Sequence, residues 1–193
     1  MGNEKRYTGI GKVAWGYLFV YFNLKINSVS LLPAFVGYLL FLSAIGDLRE
    51  DERELELLKP LGIILAVWHG LNWLGSFWNA GLGGKWQVVD ILIGMINLYF
   101  HFQLLTNLAS VARRYQSERQ VFDKKLLGYR TVQTVILTAL IVIGHFFEWI
   151  GNFGTVVSAL AVLVYLVLGI ALMRVLFAFR RCLREDRQGT EYL

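Results

Sequence analysis

Four stretches of this chain, about 59–78, 87–110, 131–150 and 155–178, are almost free of charge over twenty residues or more. A helix of about twenty apolar residues crosses the roughly 30 Å hydrocarbon core of a bilayer. Within that core only helices and closed barrels satisfy their own backbone hydrogen bonds. The pattern therefore predicts an all-α integral membrane protein. Composition agrees: 56% of the 193 residues are hydrophobic and 17% charged, against roughly a quarter charged in soluble domains. Two shorter apolar runs, about 10–24 and 30–46, come first and are divided by "KINSVS". They read either as short tilted spans or as one re-entrant hairpin.

The basic residues supply an orientation. With six spans and both termini in the cytoplasm, the inner segments hold Lys5, Arg6 and Lys12; Arg49, Arg53 and Lys59; Arg113, Arg114, Arg119, Lys124, Lys125 and Arg130; and Arg180, Arg181, Arg184 and Arg187. Only Lys25 and Lys85 fall outside, and Arg174 lies within the last span, where its long stem reaches the headgroups. Such a bias is what membrane insertion selects. It assigns the net charge of +5 to orientation and not to nucleic acid. A bacterial inner (plasma) membrane is the expected location. Lys5, Arg6 and Lys12 precede an apolar run, but no clean small-residue cleavage site follows, so the first helix is expected to be retained.

Three helical hairpins follow from this layout, with tight outer turns at "KINSVS", "NAGLGGKW" and "GNFG", rich in the Asn and Gly that such turns favour. Glycines within the spans, among them Gly62, Gly70, Gly94, Gly144 and Gly169, suit close helix packing. The inner segment "DLREDERELELLK" reads as a solvated helix with Arg49–Glu52, Glu50–Arg53 and Arg53–Glu56 at i,i+3 spacing. The segment 111–130 also reads as helix, with Phe122, Leu126 and Leu127 resting on the membrane surface.

An internal echo stands out. "HGLNWLGSF" at 69–77 matches "HFFEWIGNF" at 145–153 in its His, Trp, Gly and Phe positions. Each copy closes an apolar run and leads into an outer turn, which suggests a parallel repeat of hairpins 2 and 3. Trp73 and Trp149 fit an interfacial belt, and Gly75 and Gly151 fit helix C-caps.

All three histidines, His69, His101 and His145, fall in spans, with Asp90 and Glu148 near outer helix ends. Ionisable groups at membrane depth are costly and normally face an interior or a cavity. His145 and Glu148 share a helix face and form a candidate proton-handling pair, with His69, Asn72 and Asp90 completing an outer polar site. No HxxxH or HExxH pair occurs, and Cys182 is the single cysteine, so neither a metal site nor a disulfide is expected. No phosphate loop and no nucleophile elbow is present.

The expectation is thus one polytopic domain over residues 1–193. Its function would be non-enzymatic: small-solute or proton-linked transport, permeation or sensing, with no cofactor. One alternative is b-type haem held between His69 and His101 on different helices. Another is a structural subunit whose polar residues join helices and whose inner loops meet a membrane-protein partner or a second copy.

Overall fold

A computed structural model describes residues 2–22, 25–26, 29–30, 32–77, 87–117 and 120–190; within these, the side chains of 2, 25–26, 29–30, 87, 143–155, 158 and 185–190 lie outside the description. The chain forms helices α1 (Gly2–Tyr21), α2 (Ala34–Leu48), α3 (Lys59–Ser76), α4 (Gln87–Tyr115) and α5 (Phe122–Thr190). A 3₁₀ turn at Arg53–Leu58 leads into α3, which opens with Pro60, a residue preorganised for a first helical turn. Between α1 and α2, Lys25–Ile26 pairs antiparallel with Val29–Ser30, so "KINSVS" forms a minimal hairpin. The predicted turn at 78–86 lies outside the described residues.

Four helical segments are long and apolar enough to cross a membrane: Arg53–Ser76, Val88–Tyr115, Phe122–Val142 and Ala159–Arg184. Their outward faces carry exposed Ile63, Val67 and Leu71 on α3, Leu92 and Met95 on α4, and Val135, Leu160 and Val167 on α5. A soluble protein rarely leaves so much contiguous apolar surface uncovered, whereas hydrocarbon is a good solvent for it.

The last element is assigned helix throughout its 69 residues, yet it cannot be a straight rod. Phe122 and Phe179 pack with ring centroids 5.5 Å apart, and the Cys182 thiol donates to Gln120 Oε1 at 3.0 Å. The arms Phe122–Val142 and Ala159–Arg184 therefore lie side by side and antiparallel. The reversal falls between them, where "GNFG" sits. Leu126 is fully buried and Phe122 faces Phe179, so this turn of helix packs into the bundle and does not rest on a membrane surface as the sequence suggested.

The first hairpin is the centre of the bundle. Helix α1 packs between α2 and α5, α2 also meets α3, and α4 meets α5. Ile10, Val13, Ala14, Tyr17, Phe41 and Ile45 are fully buried, and they share one core with residues of α3, α4 and the second arm of α5. Gly16 and Gly37 set the α1–α2 crossing. A methyl group on Gly37 would lie 2.7 Å from the Gly16 carbonyl, so the two backbones meet directly.

The charged segments gather at one end of the bundle. Acids of 47–52 pair across helices, not along their own segment as the i,i+3 spacing suggested. Lys12 meets Asp47 at 2.7 Å, Lys5 meets Glu50 at 2.8 Å, and Arg6 meets Asp51 at 2.8 Å. Asp51 also accepts from the Tyr115 hydroxyl at 2.8 Å, its backbone carbonyl accepts from Arg114, and Arg6 stacks on the Tyr115 ring. This tie fastens the start of α1 to the end of α4. Lys5, by hydrogen bond and charge, holds the exposed Glu50 carboxyl below its ordinary range. The backbone explains the difference: α2 ends at Leu48 and Glu52 is extended, so Arg49–Glu52 and Glu50–Arg53 are not in helical register, and basic ends of other helices lie closer.

Candidate functional site

Helix α4 carries His101 at its midpoint, fourteen residues or about 21 Å from either end. The ring is 1% exposed and enclosed by Tyr17, Tyr38, Phe41 and Phe100. Its Nδ1 faces the Tyr17 hydroxyl at 3.4 Å, and its Nε2 faces the Tyr38 hydroxyl at 3.4 Å. Both contacts are at the long end of hydrogen bonding. A neutral imidazole has one N–H and one lone pair, and because the Tyr38 hydroxyl gives its one proton elsewhere, both nitrogens are satisfied when Nε2 donates to Tyr38 and Nδ1 accepts from Tyr17. The Tyr38 hydroxyl in turn donates to Asn97 Oδ1 at 2.6 Å, one helical turn from His101. The result is a line of exchangeable protons, Tyr17–His101–Tyr38–Asn97, crossing three helices.

His69 on α3 stacks beside this line, its imidazole parallel to the Tyr38 ring at 5.1 Å and 6°. The structure thus brings together two of the sequence-predicted histidines. The Tyr38 ring contacts both imidazoles, and each nitrogen of His101 already faces a tyrosine hydroxyl.

The polar band continues towards α5. Tyr17 lies 5.7 Å from Tyr21, which stacks on Tyr165 at 4.3 Å. Gly169 makes room for this stack, since a methyl group there would fall 2.4 Å from the Tyr21 ring. Gln133, 1% exposed, approaches the Tyr165 hydroxyl from the other arm. Neither its amide atoms nor the Tyr21 hydroxyl reaches hydrogen-bonding geometry with a described residue. Buried polar groups in that state cost about 1–3 kcal/mol each.

Asn72 lies near the end of α3 and donates back to the Trp68 carbonyl at 3.0 Å. Asp90 lies in the first turn of α4, about two turns above Asn97. Trp73 packs against Phe35 and Phe77. Gly75 is not the C-cap: the helix runs on to Ser76, and its C-cap Phe77 keeps a right-handed conformation. The side chains of His145, Glu148 and Trp149 lie outside the described residues.

Sequence reasoning missed Tyr17, Tyr38, Asn97 and Gln133. It weighed formal charge at membrane depth and passed over neutral hydroxyls and amides. The signal was present in "MINLYFHFQLLTN" at 95–107, where Asn97, His101, Gln103 and Asn107 interrupt an apolar helix. Comparison with known proteins adds no relative to this geometry: no protein-family model, no curated protein and no solved structure matches the chain.

Proposed function

We propose that this chain is a six-span plasma-membrane protein with both termini cytoplasmic, and that it conducts protons or a small polar solute along the buried tyrosine–histidine band. The observation that carries this reading is His101, buried at the midpoint of α4 with each ring nitrogen facing a tyrosine hydroxyl from another helix. Imidazole is a side chain that can accept a proton on one nitrogen and release it from the other. Hydrogen bonds at both nitrogens, extended through Tyr38 to Asn97, supply the continuous line that a relay requires, with the His69 ring stacked beside it.

The unsatisfied Gln133 and Tyr21 groups support the same reading. They offer a passing water or small polar solute the hydrogen bonds it would lose on leaving bulk water. Asn72, Asp90, His145 and Glu148 would supply the outer approach, with His145–Glu148 as its proton-handling pair. Clustering of Lys5, Arg6, Lys12, Arg49 and Arg114 at one end supports the orientation. On this reading α1 and α2 are full spans, since the relay residues Tyr17 and Tyr38 lie on them. Reconstitution into liposomes loaded with a pH-sensitive dye tests the proposal. Flux no faster than in empty vesicles, for both protons and small neutral solutes, would end it.

A further inference from the structure

At the charged end of the α1–α5 contact two cavities meet at Arg180. One, of about 290 Å³, is lined by Tyr7, Phe177, Arg180, Arg181 and Arg184. The other, of about 260 Å³, runs up the bundle past Gly11, Trp15, Phe19 and Leu40. The first is basic and the second is predominantly apolar, and both open to the surface of the same helix pair.

These arginines differ from the other cations at this end. Lys5, Arg6, Lys12 and Arg114 each meet an acid of 47–52. Arg180, Arg181 and Arg184 form no ion pair among the described residues. The Arg180 guanidinium lies over the Tyr7 ring at 4.1 Å, and its buried Nε has no hydrogen-bond partner among the described residues. Gly11 makes this placement available, because a methyl group there would stand 2.9 Å from that Nε. Beside it, Trp15 is half exposed and meets Phe177 edge-on at 6.0 Å, the position an interfacial indole takes.

A basic basin continuous with an apolar trough has the charge and polarity order of a phospholipid, phosphate at one end and acyl chain at the other. We infer that the Arg180–Arg181–Arg184 basin and the Trp15–Phe19–Leu40 trough hold one anionic phospholipid of the inner leaflet. The phosphate sits on the arginines and one acyl chain follows α1. Inorganic phosphate would meet only the basin and leave the trough empty. The inference rests on the membrane placement and orientation given above and is independent of the His101 relay.

Native mass spectrometry of the full chain, released from detergent after incubation with equal concentrations of phosphatidylglycerol and phosphatidylcholine, reads the site directly. One retained phosphatidylglycerol is expected, favoured at least about fivefold over phosphatidylcholine, and not displaced by excess inorganic phosphate. Replacing Arg180, Arg181 and Arg184 together by Gln should lower its retention about tenfold, while the pair Arg49→Gln and Arg53→Gln leaves it unchanged. The wild-type lipid comparison needs no variant, so the test survives a triple variant that fails to fold. Equal retention of the two lipids, displacement by phosphate, or full retention by a monodisperse triple variant would overturn the inference. Proton flux is unaffected by those outcomes, so this site and the relay stand or fall separately.

Discussion

Phe122 and Phe179 are fifty-seven residues apart along one helical element, yet their rings lie 5.5 Å apart. A straight helix would separate them by about 85 Å. Their contact turns α5 into an antiparallel pair, and it brings the second arm back against α1 with Tyr165 beside Tyr21. The polar band depends on that return.

The return can be tested with the chain's single cysteine. Because the Cys182 thiol reaches the end of the Gln120 side chain, Gln120→Cys should be bridged to Cys182 by a short bis-methanethiosulfonate cross-linker, read as a reducible mobility shift of the monomer. A pair on two unrelated arms would stay unbridged or cross-link only between molecules.

The α1–α2 crossing makes a second expectation. Gly37→Ala places a methyl group against the Gly16 carbonyl, a backbone atom that cannot swing aside. A loss of about 1–3 kcal/mol is expected, measured by thermal unfolding in detergent. Gly46→Ala, with open space around it, should be neutral or slightly stabilising, since alanine favours the helix.

Asp51 joins the start of α1 to the end of α4 through Arg6 and Tyr115. Asp51→Ala leaves both donors without their shared acceptor, and a loss of about 1.5–3 kcal/mol is expected. Glu54→Ala, removing one exposed contact with Gln103, should change stability by no more than about 0.5 kcal/mol. Equal effects from the two substitutions would show that Asp51 ties nothing.

His69 and His101 are packed around Tyr38. Protein purified from haem-replete cells should therefore show no Soret band. A band abolished by His101→Ala would overturn this packing.

The all-helical character and the four long apolar segments were legible from hydropathy alone, because lipid imposes length and composition on whatever crosses it. The pairing of Lys5, Arg6 and Lys12 with Glu50, Asp51 and Asp47 was not. Local spacing pointed to neighbours along the chain, while the partners come from another helix. His69 and His101 were legible as costly residues, but their company was not. Tyr17 and Tyr38 look like any membrane aromatic until the crossing at Gly16 and Gly37 places them on either side of one imidazole. The central position of the first hairpin was hidden for a related reason: its runs are short and interrupted, and burial among neighbours, not hydropathy, fixes it.

The relay itself is tested by proton flux into liposomes carrying the purified protein, driven by a potassium gradient and followed with a trapped pH dye. Wild-type protein should dissipate the gradient faster than empty vesicles. His101→Phe, similar in bulk but without exchangeable protons, should slow it at least about tenfold, and Tyr38→Phe should slow it in part. Unchanged flux in a folded His101→Phe variant would contradict the account.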